Sequence, residues 1–363
     1  MKFLVTMNHS YMLLRFRREL LEELTRRGEV VVSVPYDDEK SVRTIREIGC
    51  RTIRTPIDRR GTNPLTDSKL LAEYVRMLKK EKPDVVLTIS IKPNVYMGIA
   101  CSTLGIRRIA VVQGMGSAFE GGFKTAIVSK MLKFSFRGAE KVFFENGSDA
   151  REFVRRGIVF PKKVQVVAGA GVNPERFPVE KYPDETDGTR FLYLGRIMRE
   201  KGVGELVRAF DSIRKYDDRA TLDVVGFFED GYERKFEALT KQYGDGIYLH
   251  DFTRNPNKFY RTASCVVVPS WHEGMNNVLL EAASTGRPTI TTNVPGCRET
   301  VLDGKTGFLC EARNPDSLAE AMRKFLGLPH DKRSGMGMKA SEFVRRSFDR
   351  NDVVRTYAEA LER

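Results

Sequence analysis

No two cysteines in this chain are spaced C-x-x-C. The five that occur, Cys50, Cys101, Cys265, Cys297 and Cys310, are odd in number and scattered. That pattern argues against a disulfide framework or a zinc site and fits a reducing cytoplasm. Histidine is scarce too: His9, His250, His272 and His330 show no metal spacing with one another or with a carboxylate cluster. There is no D-x-D motif, and neither half carries G-x-G-x-x-G after its first strand, which counts against a nicotinamide dehydrogenase. No apolar run approaches the roughly 18 residues of a membrane span. The opening Met1–Thr6 leads into polar residues and Arg15, so a first strand is expected there and not a signal peptide.

What is present is ordinary globular material, 41% hydrophobic and 30% charged over 363 residues, enough for two domains with a core each. The charge is lopsided. Residues 1–168 hold 31 Lys and Arg against 18 Asp and Glu, whereas residues 169–363 hold 30 against 30. The whole excess of +13 therefore lies in the first half, which should be drawn to something anionic: a membrane surface, a diphosphate or a nucleic acid.

Short β-branched runs alternate with helical patterns throughout. Strands are expected at Phe3–Thr6, Val30–Val34, Arg51–Arg54, Val85–Ser90, Ile109–Gln113, Val142–Glu145 and Val164–Ala168. The second half repeats the scheme at Phe191–Leu194, Leu222–Val225, Ile247–His250, Val266–Pro269, Thr289–Thr292 and Gly307–Leu309. Near-continuous apolar strands between helices predict an α/β protein with two doubly wound parallel sheets. The expected division is residues 1–170, a Pro- and acid-rich linker over 171–188, a second domain over 189–340, and a C-terminal helix over 341–363 that caps the second domain or crosses back to the first.

Two strand-to-helix junctions in the second half carry the chemistry. In the first, Gly195-Arg196-Ile197-Met198-Arg199-Glu200-Lys201-Gly202 follows strand Phe191–Leu194. Arg196 and Lys201 can together neutralise a diphosphate, one through paired N–H groups and the other as a point charge. In the second, Glu273-Gly274-Met275-Asn276-Asn277 precedes a helix that contains Glu281 and ends at Gly286-Arg287-Pro288. Backbone N–H groups at such a helix start favour phosphate. The two glutamates suit separate hydroxyl-bearing parts of one elongated ligand, since each carboxylate accepts several hydrogen bonds.

The G-R-x4-K loop, the E-x7-E segment and their spacing resemble the retaining glycosyltransferases of family four, which have the GT-B fold. The resemblance runs along nearly the whole chain. Lys92-Pro93-Asn94, Gln113-Gly114-Met115-Gly116, Phe143-Phe144-Glu145-Asn146 and Gly171-Val172-Asn173 are similar to the bacterial branch that builds capsule, exopolysaccharide or glycoprotein glycans on lipid carriers, including its N-acetylgalactosaminyltransferases.

That resemblance implies two Rossmann-like domains facing a central cleft. It implies that Arg196 and Lys201 bind the donor diphosphate, Glu281 the ribose and Glu273 the transferred sugar. Gly195, Gly274, Met275, Asn276 and Asn277 would complete the cradle, with the base near Gly226 and Phe252. On the acceptor side it points to His9, Arg17, Lys92, Asn94, Gln113, Gly114 and Gly116. Two features depart from the commonest pattern: Asn8-His9-Ser10 replaces a Gly-Gly pair, and Gln113-Gly114 stands where many relatives have a histidine. His9 also reads equally well as an ordinary loop histidine. No metal or other cofactor is implied, because the Arg–Lys pair supplies the charge a divalent ion would bring.

Residues 122–137 alternate Lys124, Lys130, Lys133 and Arg137 with Ile127, Val128, Met131, Leu132, Phe134 and Phe136. Such a stretch suits either an anionic bilayer surface or a packed helix with a solvated face. The expected activity is transfer of a hexosamine or hexose from a nucleotide sugar, UDP-linked, to a polyprenyl-diphosphate-linked glycan, at the cytoplasmic face of the membrane. Two rivals are a sugar-nucleotide epimerase or hydrolase on the same scaffold, and a nucleic-acid-binding protein. The second is disfavoured because the basic residues are not interleaved with stacking aromatics.

Overall fold

The computed structural model describes residues 1–58, 63–115, 119, 123–184, 186, 188–229 and 231–362. The chain forms two compact units, one of Met1–Ala170 with Arg350–Arg363, the other of Gly171–Asp349.

The first unit runs β1 (Lys2–Thr6), α1 (Ser10–Arg27), β2 (Glu29–Val34), α2 (Glu39–Glu47), β3 (Arg51–Arg54), α3 (Pro64–Glu81), β4 (Val85–Ile89), α4 (Ile91–Leu104), β5 (Arg108–Val112), α5 (Phe123–Arg137), β6 (Lys141–Phe144), α6 (Gly147–Arg155) and β7 (Val164–Val166). Its sheet order is β3-β2-β1-β4-β5-β6-β7, every pair parallel. Alternate residues of one strand feed opposite faces. Phe3 and Val5 of β1 pack with Leu13, Leu20, Leu21 and Leu24 of α1, whereas Leu4 packs with Leu70, Tyr74 and Leu78 of α3.

The second unit runs β8 (Arg190–Ile197), α7 (Val203–Tyr216), β9 (Thr221–Phe228), α8 (Glu233–Tyr243), β10 (Ile247–Asp251), α9 (Asn257–Thr262), β11 (Cys265–Val268), α10 (Asn277–Ser284), β12 (Thr289–Thr292), β13 (Gly307–Cys310), α11 (Pro315–Leu326) and α12 (His330–Ser347). Its order is β10-β9-β8-β11-β12-β13, again all parallel. Phe191, Val224, Val267 and Ile290 meet Phe210, Leu318 and Phe325 in its core.

Each expected strand is present, β3 and β12 with the expected bounds and the others with shifted ends. The largest shifts are in the paired strands β8 and β9: β8 continues through Gly195 and Arg196 to Ile197 instead of stopping at Leu194, and β9 runs to Phe228 instead of Val225. The two pair up to Ile197↔Phe228. Gly226 permits this, since a Cβ there would lie 1.8 Å from the Gly195 carbonyl oxygen.

The expected single helix over 341–363 is two helices. α12 ends at Ser347, and α13 (Arg350–Glu362) belongs to the first unit. There the Tyr357 ring meets Phe143 edge-on at 4.7 Å, and Arg107 donates to the last carbonyls of α13, those of Ala360 and Leu361. Residues 171–184 are held on the second unit. Arg287, fully buried, donates to the Tyr260 and Lys181 carbonyls, and Val172 N–H donates to Phe348 O at 2.7 Å.

Candidate functional site

In the second unit β8 is the first strand, with β9 on one side and β11 on the other. The connections therefore leave it in opposite directions, and the loops after β8 and β11 end as neighbours at the carboxyl edge of the sheet, where α/β proteins bind ligands. That topology brings the Arg196–Lys201 segment against the Glu273 turn. The approach is close. Gly202 has φ +68°, and a Cβ on it would lie 2.0 Å from the Pro269 carbonyl oxygen.

The Lys201 ammonium meets Glu273 Oε1 at 2.5 Å. The same oxygen accepts from the Ser270 hydroxyl at 2.7 Å and from the Asn276 side-chain amide at 3.0 Å. Asn276 also caps α10, its Oδ1 accepting from Leu279 N–H at 3.1 Å, so the residue that starts the helix also fixes the carboxylate. The Glu273 and Lys201 side chains are only 14% and 16% exposed. Burial alone would push the Glu273 carboxyl up. The charge and hydrogen bond of Lys201, the Ser270 hydroxyl and the charge of Arg196 outweigh it and hold the group below its ordinary value. Arg196 itself pairs with Glu229 just beyond β9, while its carbonyl accepts from Tyr193 Oη at 2.6 Å.

Of the other expected donor residues, Gly274, Met275 and Asn277 form the turn into α10 beside this cluster. Glu281 is 2% exposed, one carboxylate oxygen accepting from Tyr260 Oη at 3.0 Å. Gly226 lies within β9 beside Gly195. The exposed Phe252 ring meets the exposed Phe227 ring edge-on at 5.9 Å, an apolar platform at the ends of β9 and β10.

In the first unit His9 stands between β1 and α1. Its Nδ1 is 2.7 Å from Asp37 Oδ2, while Asp37 Oδ1 accepts from Ser10 N–H and Oγ. Asp37 thus fills the start of α1 with the chain's own carboxylate. Burial would raise that carboxyl, and the bonds from His9 and Ser10 instead bring it down to about 2. Lys92 pairs with Asp67 at 2.8 Å, and Gln113 and Gly114 lie half-buried after β5.

Two of the expected acceptor residues are buried with partners in the first unit. Arg17 is 2% exposed and pairs with Glu145 at 2.7 Å, and Asn94 is 1% exposed with its amide donating to the Val111 carbonyl. In both residues these bonds are made within the first unit. Gly116 lies outside the described residues.

Sequence reasoning missed Ser270, Glu229, Tyr193, Tyr260 and Asp37. Ser270 carried a signal, three residues before Glu273 at the end of an apolar strand. Tyr193 shares β8 with its partner Arg196, whereas Glu229, Tyr260 and Asp37 lie on other segments than their partners, and only the fold brings them in.

Residues 188–327 match the family described as Glycosyl transferases group 1, and residues 15–170 match the Glycosyl transferase 4-like domain. The chain belongs to the group 1 glycosyltransferases. This glycosyltransferase is 27% identical over 337 residues to the Staphylococcus aureus capsular polysaccharide biosynthesis glycosyltransferase CapM, covering 89% of this chain and 86% of that one. It is 25% identical over 333 residues to the Campylobacter jejuni N,N'-diacetylbacillosaminyl-diphospho-undecaprenol alpha-1,3-N-acetylgalactosaminyltransferase, covering 86% and 85%. Its fold is GT-B, like that of Anabaena Alr3699/HepE solved with UDP and glucose, at a TM-score of 0.82, 15% identity, and 100% and 99% coverage.

Proposed function

We propose that this glycosyltransferase moves a hexosamine or hexose from a UDP-sugar to a glycan carried on a polyprenyl diphosphate, with retention at the anomeric carbon. The observation that carries the reading is the Lys201–Glu273 contact with Arg196 at the same sheet edge. Two cations there counter the charge that builds on a leaving nucleoside diphosphate, and a carboxylate waits for the sugar hydroxyls. Positive side chains in that role make a divalent ion unnecessary. Glu281 takes the ribose and the Phe227–Phe252 edge takes the base.

The reaction uses no enzyme nucleophile. The bond from the anomeric carbon to the β-phosphate oxygen breaks as the acceptor oxygen bonds on the same face, and the departing phosphate takes the acceptor proton. The first unit supplies the acceptor side through His9, Lys92, Gln113 and Gly114. The lipid-linked acceptor is supported by the name of the Campylobacter relative, which describes a diphospho-undecaprenol-linked sugar.

The reading includes peripheral attachment at the inner face of the cell membrane, and α5 supports it. Ile127 and Phe134 are 42% and 55% exposed beside the exposed Lys130, Lys133 and Arg137. Among the described residues no helix is long and apolar enough to cross a membrane.

Thermal unfolding with a panel of UDP-, GDP- and ADP-sugars tests the donor. A UDP-sugar should raise the midpoint, because a ligand that binds only the native state stabilises it. That donor should then label a polyprenyl-diphosphate glycan, with the anomeric configuration read by NMR. No shift with any nucleotide sugar overturns the reading, and a changed sugar without acceptor makes the enzyme an epimerase.

A further inference from the structure

Two guanidinium groups lie over one indole beside the Lys201–Glu273 contact. Trp271, the only tryptophan in the sequence, follows β11 by three residues. Arg199 Cζ is 5.4 Å from its ring centroid and Arg313 Cζ is 4.4 Å from it. Trp271 N–H also donates to Glu200 O at 2.9 Å, so its backbone and its ring both hold the Arg199–Lys201 turn. Arg313 has φ +62°, a left-handed conformation that L side chains adopt at a cost, and its guanidinium is the closer of the two. The indole Nε1 is buried without a hydrogen-bond partner among the described residues. The ring is therefore oriented by its faces and not by its N–H.

We propose that Trp271 is a positioning residue for the diphosphate grip: its ring and backbone fix the Arg199–Lys201 turn so that the Lys201 ammonium is aimed beside Glu273. The proposal rests on the reading of Lys201 as a diphosphate ligand. The negative ring face attracts each guanidinium, which an aliphatic side chain of similar bulk does not do. Lys201 is adjacent to the tethered Glu200, and Glu273 is two residues after Trp271, so any tilt of the ring reaches both partners of the ion pair.

Calorimetry with UDP and UMP on the full chain tests this, because the second phosphate is what Lys201 grips. Wild type should prefer UDP, and Lys201→Ala should lose that preference. Trp271→Leu should lose about tenfold of it, the scale of a charge-assisted hydrogen bond, with UMP affinity unchanged. Trp271→Phe keeps a ring face and should retain most of the preference. Arg199→Met, an exposed change that removes a cation from the ring, should lower it even if the leucine variant fails to fold. A wild-type ratio in Trp271→Leu and Arg199→Met, with the ratio lost in Lys201→Ala, overturns the proposal. So does an equal loss of UDP and UMP binding, or a phenylalanine variant as weak as leucine. A wild-type ratio in Lys201→Ala overturns the diphosphate reading itself.

Discussion

The ammonium of Lys201 lies 2.5 Å from the Glu273 oxygen that also accepts from Ser270 and Asn276. One residue follows β8 and the other follows β11, so the contact joins two strand ends 72 residues apart in sequence. Under the proposed function, a charged group that meets the donor is thereby held in place before the donor arrives, which lowers the ordering needed at binding.

Glu273→Gln should lower stability at neutral pH by about 1.5–3 kcal/mol, the range for hydrogen bonds to charged groups. The sign of its pH dependence follows from the lowered carboxyl. Its stabilising effect is fully present above the ordinary 4.5 and fades as pH falls through the lowered value. Urea unfolding of wild type and variant should differ by a constant amount from about pH 5 to 7, and the gap should shrink below about pH 4.

The His9–Asp37 pair obeys the same rule at a more acidic point. Its contribution is complete above the ordinary 3.8 and is lost as pH falls toward about 2. Asp37→Asn should therefore destabilise the first unit at neutral pH and lose most of that effect at the acid end. Urea midpoints read across that window check it.

Gly202→Ala should cost more than about 1 kcal/mol, because φ is +68° and the added carbon meets the Pro269 carbonyl. Gly304 is the matched control, with φ +69° and no atom within 4 Å of its would-be Cβ. Alanine there should cost less, and the difference read by urea unfolding isolates the close approach. Equal losses would mean the two loops have room to part.

Wild-type protein should co-sediment with anionic liposomes and release as salt rises, since exposed charges are screened. Phe134→Ser with Lys130→Glu and Lys133→Glu should stay in the supernatant. These three side chains face solvent on α5, so the change should leave folding intact.

The order of strands and helices was legible because the central strands such as β4 and β11 are mostly apolar or β-branched and most helices carry one buried stripe. Arg17 shows position and charge pointing to different roles. It falls four residues after Leu13 and four before Leu21, on the buried stripe of α1, and its own backbone at φ −134° bends the helix there. Its position on the stripe already marked it as a framework residue, but its charge drew it to the acceptor list. Asn94 was drawn there by a motif, and only the structure shows its amide tying α4 to β5. The end of β8 was misjudged because Arg196 looks like a loop residue, whereas backbone pairing beside Gly226 keeps it in the sheet. Lys201 and Glu273 were each nameable from sequence. Their contact follows from β8 and β11 being neighbours, which no local pattern states.

Turnover of Lys201→Ala, with the donor identified and saturating, tests the central claim most directly. A fall of about 10²–10³ with folding intact is expected, as when a donor to transition-state charge is removed. Turnover near that of wild type would contradict it.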